Sequence, residues 1–297
     1  MRRVRCRVCG ERVRRDRIDA HMRAVHRPAR RRPNALLAAT VVAAIVMVAA
    51  FTYYITRPSP ASEEEGGGPT DPNAVAVRFN SEDGWVLRGT FFRGDPSMPL
   101  VILVEGVDED RNAWGPFLGE LRGKGYNILA YDSRGQGEST TFNGHYKDWK
   151  SFSQADFQAG TRDIASAKYY ALSTFQSAPR VGVVGASVGA NQVLAFAASD
   201  SGTELKALVL LSPGNDYQGI PSAPAIDTLN ARATRPAILF AAGLGEDSEG
   251  ASHSLNQTYA GTRDLAIVSG GRHGTQLLTD PTFRIQVADF LASAFKD

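Results

Sequence analysis

Residues 73–297 read as an α/β domain: an eight-stranded, mostly parallel sheet with helices on both faces and a minimal lid. Three observations predict it. Short apolar runs alternate with longer helix-prone segments, the pattern of β-α units whose strands are covered on both sides. Two alternating stretches, Ala74–Phe79 and Trp85–Phe92, flank Glu82-Asp83-Gly84 and read as an antiparallel hairpin. Finally, the β-branched run Val181–Val184 passes through Gly185-Ala186-Ser187-Val188-Gly189 into a helix-prone stretch ending near Ala198. That is a strand, a sharp turn and a helix, with a serine at the tip of the turn.

Taken from the start, the chain is strongly asymmetric. Its net charge of +2 conceals thirteen arginines in residues 1–33, opposed only by Glu11, Asp16 and Asp19. Both cysteines lie in this segment, as Cys6-x2-Cys9-x11-His21-x4-His26. The spacing resembles a two-cysteine, two-histidine zinc finger, in which two thiolates and two imidazoles close a tetrahedral site. Such a finger depends on its metal to fold, because so few residues bury too little apolar surface. A disordered basic tail with coincidental Cys and His pairs is the alternative. Nucleic-acid binding is not the expectation, since a lone finger makes few base contacts and the arginines suffice as a topology signal.

Residues 34–56 follow, with an uncharged apolar run of 22 residues from Ala35 to Thr56. A helix of that length crosses a hydrocarbon core of about 30 Å. Arg30, Arg31 and Arg32 abut its start, and Tyr53 and Tyr54 mark its far end. The positive-inside rule puts residues 1–33 in the cytoplasm and the rest of the chain outside the cell membrane. A cleaved signal peptide competes, but its n-region would be long and no small-x-small site follows. Residues 57–72 are proline, glycine and acid, a flexible linker.

In the domain, further strands are predicted at Leu100–Val104, Asn127–Tyr131, Val181–Val184, Ala207–Leu211, Ala237–Ala241 and Leu265–Val268. Helices are predicted near 113–124, 153–175, 188–199, 251–260 and 281–295. No cysteine follows Cys9, so an exported domain would need no disulfide. The glycines at 185 and 189 suit a turn too tight for side chains, which would hold the Ser187 hydroxyl exposed above a helix N-terminus. Ser187 is the candidate nucleophile.

Several motifs together resemble the α/β-hydrolase family over essentially all of residues 73–297. They are Leu103-Val104-Glu105-Gly106, Gly125-Tyr126 with the run Ala130 to Ser139, the Gly185–Gly189 elbow, Leu211-Ser212-Pro213-Gly214, and Gly271-Arg272-His273-Gly274. The details resemble the dienelactone-hydrolase-like and prolyl-oligopeptidase-like branch. Glu105 departs from the pattern, standing where the family usually has histidine. The resemblance implies a Ser, acid, His order. It puts the general base at His273 and aligns Asp247, after the seventh strand, with the acid; Glu246, Glu249 and Asp216 are the neighbouring alternatives. It implies backbone oxyanion donors at Val188 and Val107, and no catalytic cofactor. His145 reads as a surface or substrate-side residue and His253 is out of order. Asp132, Arg134 and Glu138 read as loop-stabilising.

Only about 25 residues, Ser212 to Arg235, separate the sixth and seventh strands, where this fold usually inserts a lid. The expected site is shallow and open, suited to small or flexible acyl esters. The sequence-level expectation is thus a membrane-anchored serine hydrolase, a carboxylesterase before a peptidase or acyltransferase. A non-catalytic membrane sensor with a hydrolase-like ectodomain is the alternative from a different class.

Overall fold

Eight main strands carry the domain: β1 (Ala74–Asn80), β2 (Trp85–Phe92), β3 (Leu100–Val104), β4 (Asn127–Tyr131), β5 (Val181–Ala186), β6 (Leu205–Leu211), β7 (Ala237–Gly243) and β8 (Arg263–Val268). The structure is a computed structural model and describes residues 2–25, 71–175 and 180–296. It divides into two units, Met1–Gly66 and Gly67–Asp297.

In the larger unit the strand order is β8-β7-β6-β5-β3-β4-β2, with β1 paired to β2. β3 to β8 run parallel, whereas β1 and β2 pair antiparallel with each other and β2 pairs antiparallel with β4. The expected eight strands are present. A short ladder, Thr141–Phe142 with His145–Tyr146, extends the β2 edge and makes the sheet ten-stranded. Two-residue strands carry no periodic signal, which is why the sequence does not reveal them.

The parallel strands are buried on both faces because successive side chains feed two separate cores. Leu100, Ile102, Val183, Leu208, Leu210 and Phe240 point to one core; Val101, Leu103, Val184, Val209, Leu211 and Leu239 point to the other. The first core is closed by α2 (Gly160–Phe175) and α3 (Val188–Ser199), through Ile164, Ala167, Val193 and Leu194. The second is closed by α1 (Gly115–Gly123) and the C-terminal helix Pro281–Ala294, through Phe117, Leu121, Val287 and Leu291. Gly182 is needed for that packing: a Cβ there would lie 2.8 Å from the Phe295 ring. The C-terminal helix is started by Asp280, whose carboxylate accepts from the Thr282 and Phe283 amides, a cap worth ~1 kcal/mol.

Two helical expectations are revised. The stretch 153–175 is broken into Gln154–Gln158 and α2, because Ser153 and Asp156 form a capping box for a first short helix that stops at Ala159. The segment after β6 holds a small ladder, Asp216–Tyr217 with Ile220–Pro221, and α4 (Ser222–Asn230). α5 (Ser248–Thr258) begins three residues earlier than expected.

The strand order reverses beside β5, with β3 on one side and β6 on the other. A crevice opens there at the carboxyl ends of the strands, where open α/β sheets bind ligands. Ser187 follows β5, Glu105 to Val107 follow β3, and Ser212 follows β6.

In the smaller unit, Arg3–Arg5 pairs antiparallel with Arg12–Arg14, and a helix follows over Ile18–Val25. Among the described residues no helix is long and apolar enough to cross a membrane. The predicted span at 34–56, His26 and the linker up to residue 70 lie outside the described residues.

Candidate active site

The turn at Ser187 is built by two close backbone approaches. A Cβ on Gly185 would lie 2.6 Å from the Gly189 carbonyl oxygen, and one on Gly189 would lie 2.4 Å from that of Glu105. Between them Ser187 is held at φ 54° and ψ −122°, a region a serine occupies only when its surroundings force it. The Ser187 amide donates to the Leu211 carbonyl at 2.8 Å, which anchors the turn to β6.

His273 lies in the loop after β8. Its Nε2 is 2.8 Å from Ser187 Oγ, and its Nδ1 is 2.6 Å from a carboxylate oxygen of Glu246. The loop is fixed at the next residue. The Gly274 amide donates to Ser212 Oγ at 3.0 Å, and Ser212 is itself held by its amide to the Ala241 carbonyl at 2.7 Å. Sequence reasoning noted the Leu211–Gly214 strand end but found no role for Ser212. A lone serine after a strand carries no signal for one.

The carboxylate in contact with His273 is Glu246, and this corrects the assignment to Asp247. Gly243, Leu244 and Gly245 make a tight turn closed by the Glu246 amide on the Gly243 carbonyl at 3.1 Å. Gly243 is required, since a Cβ would sit 2.3 Å from the Arg272 carbonyl oxygen where the two loops meet. The turn leaves Glu246 facing the imidazole, while Asp247 becomes the N-terminal flank of α5 and is exposed. Glu249 is engaged elsewhere, accepting from the Gly245 amide at 2.6 Å, and Asp216 is exposed on its ladder. Burial works against the Glu246 charge. Hydrogen bonds from Ser248 and His273, with the imidazole's own charge, outweigh it and hold the carboxyl below its ordinary value.

The two amides expected as oxyanion donors flank the serine. Val188 opens α3, so its amide has no intrahelical acceptor. Gly106 packs against Ser187, a Cβ on it falling 3.3 Å from Ser187 Cβ, and Val107 follows. The Val107 amide donates to nothing among the described residues. The turn is braced by side chains the sequence did not single out. Glu109 accepts from the Gly106 amide at 2.9 Å and from the Thr275 hydroxyl, and the Gln136 amide group donates to the Gly106 carbonyl at 3.0 Å.

Glu105 is 1% exposed, and one of its oxygens accepts from the Ser133 amide at 2.6 Å. The other is buried without a partner. Burial, reinforced by nearby Asp132, drives its carboxyl well above the ordinary range despite the Ser133 bond. Asp132 and Glu138 are tied to Arg111 at 2.5 and 2.7 Å, and Arg134 to Asp163 and Asp83 at 2.7 and 2.9 Å. These pairs lock the loop after β4. His145 is exposed at the sheet edge, and His253 lies 3.9 Å from Glu249 on α5.

In the N-terminal unit Cys6, Cys9 and His21 place their ligand atoms within 4.8 Å of one another. The Cys9 sulfur and His21 Nε2 are 3.3 Å apart. Hydrogen bonds from the Cys9 and Val8 amides draw the Cys6 thiol down to about 6, as a thiolate ligand requires. Two sulfurs and an imidazole so placed offer three ligand atoms to a metal ion.

The comparisons agree with this architecture. An esterase of Pyrococcus furiosus superposes with a TM-score of 0.59 at 16% identity, covering 74% of this chain and 90% of its own. The dienelactone hydrolase of Anabaena variabilis gives 0.59 at 18% identity, covering 75% and 96%. At those identities the likeness is one of fold. No curated protein matches the chain by sequence. The family profile for serine aminopeptidase, S33, matches residues 95–264, more than half of the chain and a span containing Ser187 and Glu246. The chain therefore belongs to the serine aminopeptidase S33 family, with an α/β-hydrolase fold.

Proposed function

We propose that this protein is a serine hydrolase that cleaves small carboxylic esters through a covalent acyl-enzyme, with Ser187 as nucleophile, His273 as general base and Glu246 as the acid that orients it. The observation that carries this reading is the continuous chain from Ser187 Oγ to His273 Nε2 at 2.8 Å and from His273 Nδ1 to Glu246 at 2.6 Å. As Oγ attacks the ester carbonyl carbon, His273 Nε2 takes the hydroxyl proton and a Ser187 Oγ–carbon bond forms. Negative charge gathers on the former carbonyl oxygen, and the Val107 and Val188 amides stabilise it. The carbon–leaving-group bond then breaks, and His273 returns the proton to the departing alkoxide. Water, deprotonated by the same imidazole, releases the acid and restores Ser187. Glu246 keeps the Nδ1 proton in place and stabilises the imidazolium without taking up a proton itself.

A fluorophosphonate probe tests the reading. The chain should be labelled at Ser187, and the label and ester turnover should both vanish in Ser187→Ala. Labelling that persisted in that variant would defeat it. A second reading, a peptidase of the same fold, is favoured by the family's description. It also suits the carboxylates of Asp108, Glu109, Asp110 and Asp148 in the open groove, which would attract a substrate ammonium.

The domain is proposed to be tethered by residues 34–56 with the arginine-rich tail on the cytoplasmic side, on the strength of that apolar run and the flanking arginines. Cys6, Cys9 and His21 would then hold zinc with His26 as fourth ligand. The ion would act structurally, supplying folding energy to the tail and nothing to the ester chemistry.

A further inference from the structure

Two spaces of very different size adjoin the oxyanion turn. One is a crevice of about 10 Å³, with Val107, Val188, Phe152, Phe157 and Trp149 on its apolar side and Glu105, Ser133, Arg134 and Gln192 on its polar side. That is room for one water-sized group. The other is an open groove of about 540 Å³ that runs past Asp108, Thr140, Tyr146 and Lys150, also with Trp149. Trp149 and Gln136 are the two residues that border both spaces. Gln136 is bound in place by its bond to the Gly106 carbonyl. The Trp149 ring packs on the small apolar cluster of Phe157, Val188 and Ile220, and its amide is tied to the Gly135 carbonyl at 3.0 Å.

The chemistry decides which part of the substrate meets this wall. In the tetrahedral adduct the carbon carries Ser187 Oγ, the oxyanion, the leaving oxygen and the acyl carbon. The oxyanion must face the Val107 and Val188 amides, and the leaving oxygen must face His273 Nε2 to receive its proton. The acyl carbon takes the remaining direction, and the crevice that shares Gly106, Val107 and Val188 with the oxyanion turn is the space assigned to it.

We infer that Trp149 sets the acyl-length limit of this site: its ring closes a one-group pocket against the open groove, so the preferred substrates are acetyl-class esters. The inference rests on the proposed ester hydrolysis and names its substrate class. Taking the ring away joins crevice and groove and gives a longer acyl chain a continuous path. A crevice with room for one group has no place for a longer chain, and a misfit of one methylene in a pocket changes kcat/KM by roughly 10–200-fold, so the partition has a large signal.

The test measures kcat/KM of the full chain for 4-nitrophenyl acetate, butanoate and octanoate. The wild type should fall by at least about tenfold from acetate to octanoate. Trp149→Ala should raise the octanoate-to-acetate ratio by about tenfold or more, whereas Trp149→Phe, which keeps an aromatic wall, should stay near the wild-type ratio. Because the readout is a ratio on one enzyme, partial loss of folded protein does not alter it. A wild type that turns over octanoate as well as acetate overturns the inference without any variant, as does an unchanged ratio in Trp149→Ala. A wild type inert toward every ester overturns the parent reading as well, and the three-ester panel shows this before any substitution is made.

Discussion

Two glutamates stand beyond the carboxyl ends of strands in the same sheet, and their environments push their carboxyls in opposite directions. Glu105 follows β3 at 1% exposure, accepts one short backbone hydrogen bond, leaves one oxygen unpartnered, and is pushed by burial well above the ordinary carboxylate range. Glu246 follows β7 on a turn reached by solvent, is bonded by Ser248 and His273, and is held ionised. One accepts from the backbone beside the Gly106 turn; the other faces the imidazole. The difference teaches that a carboxylate in a hydrolase crevice is identified by its partners, not by its distance along the chain from the nucleophile.

The same amide substitution at both positions is the sharpest test. Glu246→Gln should lower kcat by ~10³–10⁴-fold with the fold intact, since an amide cannot hold the imidazole in the required tautomer or balance its charge. Glu105→Gln should leave kcat within about threefold, because this carboxyl contacts neither Ser187 nor His273 and an amide oxygen can accept from the Ser133 amide in its place. Steady-state kinetics on both variants decide it, and a dead Glu105→Gln beside an active Glu246→Gln would reverse the roles assigned here.

A smaller loss is expected at the brace for the histidine loop. Ser212→Ala leaves the buried Gly274 amide without its acceptor, at ~1–3 kcal/mol, and lets His273 drift from Ser187. kcat should drop while KM holds, and Ser212→Thr should recover much of it. Equal losses in Ser212→Ala and Ser212→Thr would point to packing instead of the hydroxyl.

Stability against pH should separate the glutamates in sign. The folded state keeps a proton on Glu105 that the unfolded chain releases in the ordinary carboxylate range. Stability from this group is full below that range and is lost as pH rises toward its elevated folded value. Glu105→Gln should therefore flatten the alkaline decline in Tm, each recovered kcal/mol being worth ~2–4 °C for a domain of this size. Glu246 runs the other way: its stabilisation is present above the ordinary range and is lost as pH falls through its depressed folded value. Thermal melts of wild type minus variant cancel the contributions of Asp132 and Asp163, whose carboxyls burial also pushes up. Matching slopes for the two variants would collapse the comparison.

The smallest effect belongs to Asp247→Asn, which should change kcat by less than about threefold, since that side chain touches neither His273 nor Ser187 and surface changes are usually mild. A large loss there would restore the sequence assignment.

Much of the domain was readable in the chain. The alternating apolar runs set the eight strands and their two-faced burial, because period and composition report a local environment directly. Ser187 was legible for the same reason: two glycines, a small residue and a following helix are a local requirement of one sharp turn. His273 was placed by the family resemblance, which puts the general base in the loop after the last strand. The tail's Cys6, Cys9 and His21 cluster was visible as spacing, since a turn and a helix bring such positions together.

The choice between Glu246 and Asp247 was not local. Adjacent carboxylates in Gly245-Glu246-Asp247-Ser248 are interchangeable to a reader of spacing, and one residue of register turns a side chain from the crevice to solvent. Only the close meeting of Gly243 with Arg272, which fixes how the β7 turn faces the histidine loop, selects Glu246. The Ser212 contact to Gly274 and the burial of Glu105 against Ser133 likewise depend on neighbours tens of residues away. Sequence fixes what a segment prefers to be; burial, partner and register across the sheet are properties of the packed molecule, and they decide what each side chain does.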